Sequence, residues 1–209
     1  MRMGLFQKFV SQTRKPDGFL GKMMLSSMNS GHAKMADWGF SLLPNLSPEN
    51  VVDLGCGAGR NVGELLKRYS EAHVTGIDYS YLSVEKSKDY NKTMIKAGRC
   101  EIMQGDVSDL QLPADAFDLA TAFETIYFWP GLEKCFVRVA KVLKPGGLFM
   151  ICNESDGTDA AGLKFEKFID GMKTHTEGEI EAALRKAGFS DVKSNHYPSK
   201  PWITVLAWK

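Results

Sequence analysis

The 209-residue chain has no uninterrupted apolar run approaching the roughly 20 residues of a membrane span, which excludes a helical membrane protein and leads to the expectation of a soluble globule. It has no surplus charge of either sign to speak of: 26 Lys and Arg face 25 Asp and Glu. No global positive field pulls it toward nucleic acid or an anionic membrane, and only a local basic patch stays open. Its four cysteines, Cys56, Cys100, Cys135 and Cys152, make no Cys-x-x-Cys and have no histidine at zinc spacing. Four reduced, buried thiols are therefore expected and no metal is. Thiols of that kind fit a reducing cytoplasm. The N-terminus carries Leu5, Phe6, Phe9 and Val10 at helical spacing, but Gln7 and Lys8 interrupt any signal-peptide core. No export signal is expected, and no repeat, low-complexity tract or linker is apparent.

What is present is an alternation of strand-like and helix-like runs, the pattern of a parallel sheet covered on both faces. The length suits one such domain with appendages and is short for two. Val51 to Leu54 reads as the first strand, and residues 60–69 as a helix with Val62, Leu65, Leu66 and Tyr69 on one face. "HVTGID" is a second strand, followed by a polar helix from Tyr81 to a stop at Gly98. "CEIMQGD" and "FDLATAF" are the third and fourth strands. The stripe Leu132, Cys135, Phe136, Val139, Ala140 and Leu143 marks a helix that "KPGG" ends before the strand "LFMIC". Thr176 and Glu179 are spaced as a capping box for a helix closing at Gly188, and strands near 191–196 and 202–208 finish the chain. Residues 1–45 predict two helices around a "KPDGFLG" loop, while 154–175 reads as irregular.

The stretch "VVDLGCGAGR" places three glycines at alternate positions directly behind a strand. A strand turning straight into a helix brings unpaired N–H groups to the sheet edge, and glycine lets a ligand approach that backbone. A nicotinamide dinucleotide would need G-x-G-x-x-G, but counting from Gly55 puts Arg60 at the last glycine and counting from Gly57 puts Val62 there. Both registers fail.

The D-x-G-x-G-x-G present instead resembles the first motif of class I S-adenosylmethionine-dependent methyltransferases. Three further marks stand in order: Asp78 ends the second strand 19 residues after Gly59, "QGDV" closes the third, and "LKPGG" precedes the fifth. The resemblance covers residues 50–153. It implies an α/β, Rossmann-like doubly wound, mostly parallel seven-stranded sheet with an antiparallel last strand inserted beside the fifth. Around it would stand one domain over 1–209, with an N-terminal helical cap (1–45), a cofactor-binding core (50–153) and a substrate-side half (154–209).

The resemblance also implies roles. Asp78 would hold the ribose hydroxyls of S-adenosylmethionine through charge-assisted bonds, unless it only caps a turn opposite Ser80. Tyr79 would lie against adenine or simply on the surface. Asp106 would accept from the adenine amino group beside the Val107 N–H, or cap a turn. Asp53 would orient the glycine loop or meet the ligand's ammonium through water. Gly55 and Gly57 would offer backbone to the methionine portion, and Phe123 would flank the cofactor. Read from the residues alone, His32 would reach the cofactor carboxylate if the N-terminal helices lid the site, or else belong to a helix entry capped by Ser30. Met24 and Met28 are core filler or soft neighbours of a sulfonium.

The methyl of a sulfonium is already electrophilic, so alignment of a nucleophile is the main requirement and a base is optional. Candidates for catalysis are Glu124 and Tyr127, with Trp129, Asn153 and Glu154 nearby at strand ends. Glu124 would act as base, hold an amine, bond the cofactor's ammonium or brace a turn. Tyr127, Phe128 and Trp129 wall a pocket or pack in the core. His175 is expected in solvent, and His73 and His196 receive no role. "FETI" stands where a base-methylating enzyme would carry an "NPPY"-like tetrad, and Lys134, Arg138, Lys141 and Lys144 read as a solvated helix face. A small-molecule acceptor is expected, with nucleic acid and membrane disfavoured and oligomeric state open. The alternatives are a tRNA or protein methyltransferase, or a non-catalytic subunit that binds S-adenosylmethionine.

Overall fold

The buried run Val51–Leu54 sets the first strand, β1 (Asn50–Leu54), in which every residue after Asn50 is buried, as a strand covered on both faces requires. The computed structural model describes residues 32–209. Before β1 stands α1 (Ala33–Ser41), and after it come α2 (Arg60–Arg68), β2 (His73–Asp78), α3 (Tyr81–Tyr90), α4 (Lys92–Lys96), β3 (Cys100–Gln104) and β4 (Phe117–Phe123). The series continues with α5 (Leu132–Val142), β5 (Leu143–Asn153), α6 (Ala160–Phe168), α7 (Glu177–Lys186), β6 (Asp191–His196) and β7 (Ile203–Trp208).

The strands form one seven-stranded sheet in the order β3-β2-β1-β4-β5-β7-β6. β1 runs parallel to β2 and β4, β2 to β3, and β4 to β5, while β7 is antiparallel to both β5 and β6. This is the expected doubly wound sheet with an antiparallel strand inserted beside the fifth. The two-residue period of β1 divides its side chains: Val52 and Leu54 join Phe136, Val139 and Leu184 under α5 and α7, whereas Val51 joins Met35, Phe40, Leu65 and Leu66 under α1 and α2. All four cysteines are buried and free.

The structure corrects four local expectations. The polar helix does not run unbroken to Gly98. It breaks after Tyr90 because the buried Asn91 turns its amide inward, donating to Gly59 O and Ser87 O at 3.0 Å each. "KPGG" does not end α5, which stops at Val142; it lies in the leading part of β5, where Leu143 already pairs with Phe117 and the register shifts before Leu119. The stretch 154–175 contains α6, capped by Asp159 accepting from the Gly162 N–H at 2.7 Å. His175 is not in solvent: its side chain is 9 % exposed. The capping box of Thr176 and Glu179 is present at α7. Of the N-terminal cap, α1 is the second expected helix. The first expected helix, before the "KPDGFLG" loop, lies outside the described residues, as do Met24, Met28 and Ser30.

Candidate functional site

Because β1 pairs with β2 on one side and β4 on the other, the chain leaves its carboxyl end in opposite directions, and a crevice opens there. The cleft at this point has a volume of about 350 Å³. The tips of four strands meet in its lining: Gly55 and Gly57 after β1, Asp78 and Tyr79 at β2, Asp106 and Val107 after β3, and Phe123 and Glu124 at β4, with His32 from the start of α1. Four expected residues stand outside that lining, Asp53, Tyr127, Asn153 and Glu154.

The glycine loop is fixed from within. The Gly55 and Cys56 N–H groups both donate to Ile77 O, at 2.7 and 2.9 Å, and the Gly57 N–H donates to Asp78 Oδ2 at 2.8 Å. Two of the glycines do different work. A Cβ on Gly55 would stand 2.2 Å from Thr125 Oγ1, whereas one on Gly57 would have no atom within 4 Å and would occupy the cleft itself. Both have positive φ, +81° and +53°.

Asp78 accepts a second bond, from the Ser80 N–H to Oδ1 at 2.8 Å, and Ser80 caps α3 through its own side chain. Burial raises the Asp78 carboxyl above the ordinary carboxylate range, against the Ser80 and Gly57 N–H groups that favour its charge. Asp53 is 2 % exposed and accepts from the Thr121 hydroxyl at 2.7 Å. Burial pushes its carboxyl up to about 7, against the Thr121 bond and with the help of the Asp78 charge. It sits behind the loop, away from the cleft surface. Asp106 caps the turn that follows it, accepting from the Ser108 N–H at 2.8 Å, while also lining the cleft. Tyr79 is 54 % exposed, and Phe123 packs on Phe40 with 4.8 Å between ring centres.

At the β4 tip Glu124 adopts φ +55°, a conformation rare outside glycine. Its Oε1 accepts from the Glu154 N–H and its Oε2 from the Tyr127 hydroxyl at 2.8 Å. Burial raises the Glu124 carboxyl, opposed by His32 and by the Glu154 and Tyr127 donors. Tyr127 thus braces Glu124 from behind, and burial together with that carboxylate holds its phenol well above the usual range. Phe128 and Trp129 do line the cleft. Trp129 also donates from Nε1 to Thr125 Oγ1 at 3.1 Å. Asn153 is buried at the end of β5 and stands outside the lining.

His32 itself, not Ser30, occupies the cap position of α1, and its side chain makes no cap bond. Its Nδ1 lies 3.4 Å from Glu154 Oε2 and 3.6 Å from Glu124 Oε2. Burial opposes protonation of the imidazole, but the Glu154 and Glu124 carboxylates outweigh it and the net shift is upward. Sequence reasoning missed Arg60, which lines the cleft, donates to Asn61 Oδ1 at 3.0 Å and pairs with Asp37 on α1. Its signal was its place directly after the third glycine, as first residue of α2. Of the basic residues near α5, Lys144 belongs to β5 and pairs with Asp118 at 2.8 Å.

No helix among the described residues is long and apolar enough to cross a membrane. A family described as a methyltransferase domain matches residues 46–192. The sterol 24-C-methyltransferase of Pneumocystis carinii is 26 % identical over 174 residues, 76 % of this chain and 45 % of that protein. The ERG6A sterol 24-C-methyltransferase of Gibberella zeae is 31 % identical over 169 residues, 76 % and 43 %. The chain thus spans less than half the length of these relatives. Human N-acetylserotonin methyltransferase, solved with S-adenosylmethionine, superposes with a TM-score of 0.74 at 17 % identity, covering 89 % of this chain and 55 % of that one. A chain of the complex between the Haloferax volcanii Trm112 methyltransferase activator and a putative methyltransferase gives 0.80 at 18 %, covering 100 % and 99 %. At those identities the solved structures establish the fold, and the family match, over more than half of the chain, establishes the kinship. The chain belongs to the methyltransferase-domain family.

Proposed function

We propose that the cleft holds S-adenosylmethionine against the glycine loop and that the protein passes its methyl group to a small-molecule acceptor. The observation that carries this reading is the open backbone face of Gly57 beside a carboxylate at the next strand's tip. Each Asp78 oxygen has given one lone pair to a backbone N–H, which leaves acceptor capacity on both for the neighbouring hydroxyls of a ribose. Asp106 and Val107 line the part of the cleft that suits an adenine edge, with the half-exposed Tyr79 ring beside them. The Gly55 and Gly57 N–H groups are spent inside the protein, so the loop's share in binding an amino-acid portion is its carbonyl oxygens, which suit an ammonium. Arg60 is the cation suited to a carboxylate, because its guanidinium keeps N–H donors beyond those given to Asp37 and Asn61.

When bound, S-adenosylmethionine supplies an electrophilic methyl group on a sulfonium. The protein's residues orient the acceptor and exclude water at the β4 and β5 tips, where Phe128 and Trp129 wall the cleft. The near-balanced charge of the chain supports a small acceptor over a nucleic acid, and the named relatives that act on sterols support it further. Calorimetry tests the cofactor half: S-adenosylmethionine and S-adenosylhomocysteine are expected to bind, and an absence of heat with both, at protein concentrations that keep the chain folded, would overturn it. Incubation of small-molecule extracts with methyl-labelled S-adenosylmethionine tests the acceptor half. Label in RNA or protein fractions alone would replace the small molecule, and binding without any transfer would make the protein a non-catalytic subunit.

A further inference from the structure

We propose that His32 is the general base of the methyl transfer and that its acceptor is a phenolic hydroxyl. This rests on reading the cleft as a methyltransferase site, and it concerns a residue at the head of α1 whose ring faces carboxylates from the tips of β4 and β5. His32 Nδ1 is buried and makes no well-formed hydrogen bond among the described residues, yet 32 % of the side chain is exposed. The exposed part of the ring is therefore the edge away from Nδ1, where Nε2 lies, and His32 lines the cleft. Two carboxylate oxygens, Glu154 Oε2 at 3.4 Å and Glu124 Oε2 at 3.6 Å, stand before Nδ1. They select the tautomer with hydrogen on Nδ1, which leaves the Nε2 lone pair toward the cleft.

The carboxylate facing His32 is itself immobilised. Glu124 takes one bond from the Glu154 N–H and one from Tyr127, and it holds a φ of +55° to do so. Strain kept at a cleft residue is a mark of function rather than of packing. Arg60, the other cation lining the cleft among the described residues, is paired with Asp37. No cation among the described residues competes with His32 for the two carboxylates, and they raise its basicity against the cost of burial. Proton transfer then balances as follows. The acceptor oxygen gives its proton to Nε2 and its electron pair to the methyl carbon, the pair of the broken carbon–sulfur bond stays on sulfur, and the imidazolium formed is held by Glu124 and Glu154.

The strength of the base narrows the acceptor to a group of phenolic or thiol acidity, and the aromatic lining of the cleft favours the phenol. An imidazole lies roughly 3 to 4 pKa units below a phenol, a gap a positioned base bridges, and about 9 units below a hydroxyl as weakly acidic as water. Phe128 and Trp129, which line the same cleft, suit a flat ring.

The test uses the whole chain and its His32→Gln and Glu154→Gln variants. In the unliganded protein, ring nitrogen NMR is expected to show His32 with hydrogen on Nδ1 and a titration that moves to lower pH in Glu154→Gln. The opposite tautomer, or an unmoved titration, would overturn the dyad. With S-adenosylmethionine, His32→Gln is expected to bind the cofactor as the parent does and to methylate an ordinary phenol about 10²- to 10⁴-fold more slowly. With a nitrophenol already ionised at the assay pH, the loss is expected to shrink below about 10-fold. An equal loss with both phenols, or methylation of amines, aliphatic alcohols or carbon centres with none of phenols, would overturn the proposal while the cofactor reading stands. Failure of the parent chain to bind S-adenosylmethionine would sink the cofactor reading itself.

Discussion

The Gly57 N–H donates to Asp78 Oδ2 at 2.8 Å, so the carboxylate at the tip of β2 holds the glycine loop that follows β1. With the Ser80 N–H on Oδ1, one side chain clamps the loop and the entry to α3 together. Asp78 therefore has a structural duty as well as the ligand duty proposed for it. Asp78→Ala is expected to weaken S-adenosylmethionine by about 1.5–3 kcal/mol, the range for a charge-assisted bond, and to lower the melting temperature as well. Calorimetry and thermal unfolding on the same sample check both. Unchanged affinity in a folded variant would remove the ribose from Asp78.

Gly55 and Gly57 are two residues apart and should fail differently. At Gly57 an added methyl meets only the cleft, so Gly57→Ala is expected to lose cofactor affinity while costing about 1 kcal/mol of stability for its positive φ. Gly55→Ala drives a methyl into Thr125 and should destabilise the fold more. Denaturant titration alongside cofactor binding separates them, and equal behaviour would contradict the assignment of the open face to Gly57.

Asp53 gives a pH dependence with a definite sign. Its folded carboxyl is raised from 3.8 to about 7, so the folded state holds a proton that the unfolded state has released. Its contribution to stability is fully present below pH 3.8 and is lost as the pH rises through about 7. Asp53→Asn keeps an acceptor for Thr121 and has no proton to lose. Relative to the parent it should gain stability between pH 5 and pH 8, by up to about 4 kcal/mol. A stability difference that stays constant over that range would show Asp53 ionised in the fold.

Glu124 is left-handed at φ +55° without being glycine. Glu124→Gly and Glu124→Ala both remove the carboxylate, but only glycine relieves the backbone. The glycine variant is expected to be more stable than the alanine variant by about 1 kcal/mol, with both impaired in methyl transfer. Equilibrium unfolding compares them directly.

The strands and the glycine loop were legible because their signals are local: β1, β2 and β4 are short segments carrying Val, Ile, Leu and Phe that are buried almost throughout, and the loop's glycines follow β1 at once. The capping box at α7 is local too. The errors have non-local causes. Nothing within "KDYNKT" announces that Asn91 will turn inward to bond Gly59, 32 residues away, and break the helix. α6 carries Leu163, Phe165 and Phe168 exposed and buries only Gly162, so its sequence shows no stripe facing a core. In the site, Asp78, Asp106 and Glu124 announce themselves as acidic residues at strand ends. The meeting of His32 with Glu124 and Glu154 does not, because it depends on α1 folding back across the tips of β4 and β5.

The most direct measurement is a crystal structure of the protein with S-adenosylhomocysteine at saturating concentration. The ribose hydroxyls are expected on the Asp78 carboxylate and the ligand on the bare face of Gly57. A ligand whose sugar lies elsewhere, or a cleft that stays empty, would contradict the cofactor reading.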